Sequence, residues 1–116
     1  MCGLIGIVGS KPVAVRLIDA LQRLDYRGYD SAGIATIHDE VMARRRAPGK
    51  LRNLRQCHDV DPIDGNTGLG HTRWATHGPA NETNAHPHVV GDVCIVHNGI
   101  IENFFELRRE LEAEGA

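Results

Sequence analysis

Cysteine is scarce in this sequence, and long apolar runs are absent. The three cysteines, Cys2, Cys57 and Cys94, are odd in number and lack the spacing of a disulfide scaffold, which predicts reduced thiols. No apolar stretch approaches the ~20 residues that a membrane-spanning helix needs. Residues 4–8 follow no charged leader, which argues against a signal peptide. We therefore expect a cytoplasmic protein that does not bind membranes.

The chain also lacks a strong charge of either sign. Its net charge is −2 with neutral histidines, so nothing indicates nucleic acid as a partner. The one basic cluster, Arg44-Arg45-Arg46, is too short to change this. We interpret that cluster as a solvated turn or the end of a strand, with phosphate contact as the minor alternative.

The zinc patterns C-x-x-C and H-E-x-x-H are missing. Histidines and cysteines are numerous enough to supply ligands, but without such spacing they only weakly indicate a metal site. Cys57 and Cys94 have no flanking signature of a Cys/His protease either. The histidines concerned are His71, His77, His86, His88 and His97.

What is present is the composition of one soluble globular domain: 116 residues, of which 41% are apolar and 24% charged. Apolar spacing predicts mixed α and β structure. Ser10 is the expected N-cap of the first helix. Strands are expected at 3–9, 32–38, 41–46, 67–74 and 89–97, helices at 12–24 and 102–114, and residues 49–58 are ambiguous, with a short helix as one interpretation.

The last predicted helix ends almost where the chain ends. Its apolar face would consist of Phe104, Phe105, Leu107 and Leu111. The sequence then stops at residues 114–116, where a glycine would normally cap the helix and lead into another element. We therefore expect this chain to be a fragment.

Cys2 follows the initiator Met1 and becomes the first residue if Met1 is removed. It would then carry a thiol together with an α-amine, which titrates near pH ~8 and can accept the thiol proton. One residue would thus supply both a nucleophile and a base. Position alone leaves this open, because a cysteine at position 2 is more often incidental.

Residues 26–33, YRGYDSAG, combine two tyrosines, an arginine and an aspartate around a glycine turn. Arg27 and Asp30 can pair in such a turn. We favour the interpretation that this loop packs the first helix on the sheet.

Residues 71–78, HTRWATHG, contain Arg73 and Trp74. An arginine can grip a carboxylate with two parallel hydrogen bonds, and the tryptophan could close over a small ligand. Equally, the segment could be a strand end with an ion-paired arginine and a core tryptophan. Both interpretations stay open.

Asn98-Gly99 follows the apolar run 93–96. The asparagine amide and the following glycine N–H can donate two hydrogen bonds to a developing oxyanion. For an isolated Asn-Gly dipeptide, however, a turn is the commoner structure.

Taken together and in this order, the motifs resemble the glutaminase domain of the glutamine–fructose-6-phosphate aminotransferases, which are class II amidotransferases with an N-terminal nucleophile. The resemblance implies an α+β fold, a four-layer sandwich with helices outside two antiparallel sheets. Residues 1–116 would be the N-terminal part of that domain, so the sandwich would be incomplete, and the downstream remainder and the sugar-isomerase domains would be absent. The matching segments are Cys2-Gly3, 26–33, 71–78, NAHPH at 84–88 and HNGIIEN at 97–103.

The resemblance also implies catalytic roles. Cys2, once Met1 is lost, would attack the side-chain amide of glutamine, and its α-amine would act as general base. Asn98 and the Gly99 N–H would hold the oxyanion. Water would then hydrolyse the thioester to glutamate.

Four further residues would bind the substrate. Arg73 would hold the α-carboxylate of glutamine, and Trp74 would help to gate ammonia transfer. Thr76 and His77 would lie in a loop that closes over glutamine. No metal or cofactor is implied.

The implied partners are L-glutamine and, through the absent C-terminal domains, fructose 6-phosphate, in a homo-oligomeric full-length enzyme of amino-sugar biosynthesis. In the family, an acidic residue downstream of the last helix holds the α-amine of glutamine, and this sequence does not include that segment. We therefore expect little or no activity from the fragment. The alternatives are a class II amidotransferase with another ammonia acceptor and a non-catalytic binding module that keeps the fold.

Overall fold

The computed structural model describes residues 3–24, 29–74 and 84–116. Over these ranges the chain forms six strands and three helices. In chain order they are β1 (Gly3–Val8), α1 (Ala14–Arg23), β2 (Ser31–His38), β3 (Val41–Pro48), α2 (Leu51–Val60), β4 (Thr67–Arg73), β5 (His88–Val90), β6 (Val93–Ile95) and α3 (Phe104–Ala113).

Four strands form an antiparallel sheet in the order β1-β4-β2-β3. β2 and β3 are joined by the predicted turn at Asp39 and Glu40, whose φ angles of 49° and 66° suit the twist of a tight hairpin. β4 pairs with β1 on one side and β2 on the other, which places Thr72 opposite both Gly3 and Ala32. The end of β4 is thereby fixed beside the start of β1.

α1 and α2 cover one face of this sheet and enclose the core. Their apolar residues recur at helical spacing, while the strands contribute every second side chain. Burying each large aliphatic side chain contributes roughly 1.5–3 kcal/mol. The largest buried apolar side chains are Val13, Leu17, Ile18, Leu21, Ile34, Leu51 and Leu54.

The opposite face of the sheet is covered at one end by residues 84–90 and the β5–β6 hairpin. An apolar cleft of about 440 Å³ remains between the sheet and the hairpin, lined by residues that include Leu69, Met42 and Val93. Two antiparallel sheets with helices outside the larger one confirm the predicted α+β class.

The single strand predicted at 89–97 is wrong. The structure has two short strands, β5 and β6, joined by Gly91-Asp92, with Val90 opposite Val93. Gly91 has a φ of 58°, which a glycine adopts without steric cost. A Gly-Asp pair between apolar residues is a signal for a two-residue hairpin, so the sequence contained the necessary information.

The interpretation of 44–46 as a solvated turn or strand end is also wrong. These residues lie within β3 and are half-buried. Arg44 Nη1 donates to the carbonyl oxygen of Pro87 at 3.3 Å, and Arg46 Nη1 donates to that of Ala85 at 3.1 Å. Both side chains share a sheet face because residues two apart in a strand point the same way. Arg44 and Arg46 therefore hold the main chain of residues 84–88 against the sheet.

The helix boundaries correct two smaller expectations. α1 begins after Val13 instead of being capped by Ser10, because Val13 N donates to Gly65 O at 2.9 Å and ties the preceding segment to a loop. The ambiguous segment is a helix, α2, whose first N–H, at Leu51, donates to the Tyr29 hydroxyl at 2.8 Å. Tyr29 thus supports the start of α2, and residues 26–28 of the predicted turn lie outside the described residues.

α3 forms close to the predicted position, but its predicted apolar face is exposed. Phe105, for example, is 62% exposed, and none of the helix is buried. The helices within the described ranges are all too short or too polar to cross a membrane. The exposed apolar side chains of this helix are Phe104, Phe105, Leu107 and Leu111.

Candidate active site

The candidate site is built where β1 starts and β4 ends. Gly3 N donates to Thr72 Oγ1 at 3.0 Å, and Gly3 lies opposite Thr72 in the ladder. Cys2 itself lies outside the described residues. This bond fixes Gly3, the residue that directly follows Cys2 in sequence, beside the C-terminal end of β4. Arg73 is the next residue along β4.

Arg73 is almost fully buried, at 6% exposed. Its Nη1 lies 3.8 Å from Asp30 Oδ1, longer than a hydrogen bond, while Asp30 N donates to the carbonyl oxygen of Arg73 at 2.7 Å. Ser31 Oγ also donates to that Asp30 oxygen, at 3.0 Å. Asp30 therefore faces Arg73, and the predicted partner Arg27 lies outside the described residues.

Trp74 is 46% exposed at the end of β4. The alternative of a core tryptophan is therefore wrong, whereas the strand end and the ion-paired arginine are confirmed. Thr76 and His77, the other two predicted substrate-binding residues, lie outside the described residues.

His71 connects this strand to the Asn98-Gly99 turn. It is fully buried, and its Nε2 lies 2.7 Å from Asn98 Oδ1 and 3.1 Å from the carbonyl oxygen of His97. Both partners are acceptors, so Nε2 must carry the proton and donate it; this tautomer is assigned from the partners. His71 and Arg73 point to the same face of the sheet because they are two residues apart in β4.

The bond from His71 orients the Asn98 amide. With Oδ1 accepting from the imidazole, the NH2 end of the amide is directed away from His71. Gly99, the next residue, has a φ of 138°, a conformation that favours glycine. The turn is thus compatible with the predicted pair of oxyanion donors.

Three histidine rings stack beside this turn. The His86 ring lies 4.1 Å from the His71 ring, centroid to centroid, and the planes differ by 24°. The His88 ring is 4.4 Å from His86 and tilted by 53°. His86 Nδ1 also accepts a hydrogen bond from His97 N at 3.3 Å. The stack therefore joins β4, the 84–88 segment and the turn at Asn98.

The stacked imidazoles are neutral near pH 7. Burial, together with the charges that His71, His88 and Arg73 can carry, lowers the pKa of His86 to about 3. Burial also lowers the pKa of His71, against the opposing effect of its hydrogen bonds to Asn98 and His97. A neutral His71 fits the donor role because only its Nε2 needs a proton.

Gly33 permits the close approach of the 84–88 segment. It lies on β2 opposite both His71 and Arg46. A Cβ at Gly33 would overlap the carbonyl oxygen of His86. The absence of a side chain here lets the segment cross the sheet and place the His86 ring on His71.

Metal and cysteine chemistry have little support in this region. Within residues 3–24, 29–74 and 84–116, no three histidine, cysteine or acidic side chains are arranged to hold a metal ion. Burial raises the pKa of the Cys94 thiol, although the charge of Arg44 opposes this, so the thiol stays protonated and weakly nucleophilic near pH 7.

The sequence motifs pointed to Arg73, Asn98 and Gly99 but not to the side chains that hold them. His71 appeared only as a weak zinc ligand. Its alternation with Arg73 in a strand was the available signal. Nothing local in the sequence indicated that Gly33 and the arginines of β3 support residues 84–88, because those contacts join distant segments.

The fold matches that of two solved structures. The chain superposes over its full length on 26% of a glutamine phosphoribosylpyrophosphate amidotransferase from Bacillus subtilis, with a TM-score of 0.82 and 24% identity. A structure described as the allosteric regulatory enzyme of purine biosynthesis gives the same TM-score at 25% identity, again over 26% of that chain. The architecture is therefore that of an N-terminal-nucleophile amidotransferase domain.

Sequence comparison finds relatives of higher identity. The chain is 66% identical, over all of its length, to the glutamine–fructose-6-phosphate aminotransferase (isomerizing) of Agrobacterium fabrum, and 64% identical over 99% of its length to that of Mesorhizobium japonicum. No protein-family model matches. The resemblance to the glutamine–fructose-6-phosphate aminotransferases is confirmed, and the chain spans 19% of the length of these relatives.

Proposed function

We propose that this chain is the front part of the glutaminase domain of a glutamine–fructose-6-phosphate aminotransferase. In this proposal residues 1–116 contribute the machinery that releases ammonia from L-glutamine. The observation that carries it is the Asn98 amide, oriented by His71, which lies on β4 two residues before Arg73 and one residue before Thr72, the partner of Gly3. The high identity to the named enzymes over the whole chain supports the same assignment.

The proposed reaction begins with Cys2 after Met1 is removed. Its α-amine accepts the thiol proton, and the sulfur attacks the side-chain carbonyl carbon of glutamine. The Asn98 NH2 and the Gly99 N–H hold the resulting oxyanion. Collapse breaks the C–N bond, and the protonated α-amine returns its proton to the departing ammonia. Water then hydrolyses the thioester, which yields glutamate and restores the thiol.

In the same proposal Arg73 binds the α-carboxylate of glutamine. The guanidinium is nearly buried, and its 3.8 Å separation from the Asp30 carboxylate is a loose contact. A bidentate interaction with the substrate would be stronger. Trp74, exposed at the strand end, would help to gate ammonia, and Thr76 and His77 would close over glutamine.

The ammonia acceptor would be fructose 6-phosphate, and the product glucosamine 6-phosphate. The names of the relatives at 66% and 64% identity support this acceptor. The sugar would bind to parts of a longer, homo-oligomeric protein that correspond to the rest of these relatives. A class II amidotransferase with another acceptor is the second candidate, because the structural match is to a phosphoribosylpyrophosphate amidotransferase.

Glutamate release from glutamine tests the proposal in the full-length protein with Met1 removed. We expect turnover by the wild type, none by C2A, and a rate ~10²–10³ lower for N98A, since that variant loses one oxyanion donor. The isolated 116-residue chain should show little activity. Turnover that survives in C2A would refute the proposed nucleophile, and addition of fructose 6-phosphate should yield glucosamine 6-phosphate if the acceptor is right.

A further inference from the structure

An asparagine amide can present either of two ends to a reacting oxygen. The NH2 end stabilises an oxyanion, whereas the Oδ1 end repels it. The side chain of Asn98 is on an exposed turn next to a glycine of positive φ, so hydrogen bonds matter more than close packing for its orientation. An oriented amide at this position therefore needs a specific partner.

His71 supplies that partner. It is fully buried on a central strand, and its Nε2–H is directed at Asn98 Oδ1 and His97 O, at 2.7 and 3.1 Å. Its other ring nitrogen, Nδ1, is buried and has no hydrogen-bond partner within the described residues. The ring thus faces the turn with a single donor, which points at the amide oxygen.

The orientation of the His71 ring is itself fixed by the residues that pack against it. The His86 ring stacks on it at 4.1 Å, and His86 Nδ1 accepts from the main-chain N–H of His97. Arg46 and Gly33 fix the main chain around His86, through a hydrogen bond to Ala85 and through the close approach that glycine allows. Both imidazoles therefore brace the same turn.

We propose that His71 is a positioning residue for the amidotransferase reaction. It holds Asn98 Oδ1 so that the Asn98 NH2 faces the oxyanion. This inference rests on the proposed function. His71 touches no reacting atom and acts through Asn98. Its loss should therefore slow the chemical step and leave glutamine binding largely unchanged.

Two substitutions of His71 distinguish the effect of the Nε2 hydrogen-bond donor from the effect of losing the imidazole ring. The H71Q amide nitrogen can reach the position of Nε2, whereas the H71N amide nitrogen reaches only the position of Nδ1. In full-length protein with Met1 removed, we expect H71N to lower kcat for glutamine hydrolysis by about 10–100-fold, within the ~10²–10³ ceiling set by loss of the donor itself. KM should change by less than about threefold. H71Q should recover most of the rate.

A double variant tests whether His71 acts through Asn98. If it does, H71N should slow an N98A enzyme by no more than about twofold, because the group that it orients is already gone. H38N is the matched control, since His38 lies at the exposed end of β2, and it should keep the wild-type rate.

Alkylation of Cys2 by iodoacetamide distinguishes positioning from structural damage. This displacement forms no oxyanion at a carbonyl carbon, so its rate should be the same in H71N and in the wild type. Wild-type rates of hydrolysis in H71N, or a parallel loss of alkylation and hydrolysis, would overturn the positioning role. A wild-type protein that hydrolyses no glutamine would instead refute the proposed function.

Discussion

Gly33→Ala should detach the 84–88 segment from the sheet. A Cβ at this position would overlap the His86 carbonyl oxygen and lie 3.0 Å from Arg46 Cγ. Neither neighbour is the free end of a flexible side chain. The main chain of the segment must therefore move away, since β2 is held between two paired strands.

The structure indicates how much stability this movement costs. The hydrogen bonds from Arg46 to Ala85 and from Arg44 to Pro87 would be lost, as would the bond from His97 N to His86. At the low end of the usual ranges for charged and neutral donors, these three bonds contribute about 3–4 kcal/mol. The reduced entropy of the unfolded chain offsets ~0.4–1 kcal/mol. We therefore expect a net loss of about 3 kcal/mol.

Urea unfolding, followed by far-ultraviolet circular dichroism and the fluorescence of Trp74, measures this change. Gly6→Ala is the matched control because Gly6 points to the same sheet face and its Cβ would make an ordinary 3.4 Å contact with Leu69. G6A should change the free energy of unfolding by no more than about 1 kcal/mol, the size of the effect of reduced entropy in the unfolded chain. A G33A protein as stable as G6A would refute this account of the segment.

Two further predictions concern charge. Because the folded-state pKa of His86 is about 3 and that of His71 is also lowered, the unfolded chain binds protons below pH ~6.5 that the folded chain does not. The melting temperature should therefore fall as the pH falls from about 6.5 towards 3, and H86F should weaken this pH dependence. A wild-type melting temperature that stays constant or rises on acidification would contradict the lowered pKa values of His71 and His86. R73K should raise KM for glutamine by at least about tenfold with a smaller change in kcat, because lysine cannot make two parallel bonds to a carboxylate. An unchanged KM in steady-state glutaminase assays would remove Arg73 from the substrate site.

The sequence predicted most of the larger sheet and the first of its two covering helices, and it left the segment that forms α2 ambiguous. Leu17 and Leu21 show the helical spacing, and the turn at Asp39-Glu40 lies between two apolar runs, so local patterns were sufficient there. The β5–β6 hairpin was not predicted because the apolar residues on both sides of Gly91-Asp92 also fit a single buried strand across positions 89–97.

The candidate site was predictable only in part. Motif resemblance indicated Arg73 and Asn98, and the structure places Arg73 at the end of β4 and Asn98 within hydrogen-bond distance of His71 on the same strand. The hydrogen bond between His71 and Asn98 joins residues 27 positions apart, and that between Arg46 and Ala85 joins residues 39 apart. Such contacts depend on strand register, and no local pattern of residues reports them.

The exposed face of α3 shows a second limit. Helical spacing predicted an apolar face that includes Phe105 and Leu111, and both side chains are exposed. Helical spacing identifies which residues form the apolar face of a helix. It does not show which other part of a protein packs against that face.

The central claim is that Cys2 is the nucleophile of a glutamine-binding site. Intact-mass and peptide measurements after treatment of the full-length, Met1-free protein with a glutamine analogue that carries an electrophile test it most directly. We predict a single adduct on Cys2 that excess glutamine prevents. Modification confined to Cys57 or Cys94, or an adduct on Cys2 that glutamine does not prevent, would contradict the account.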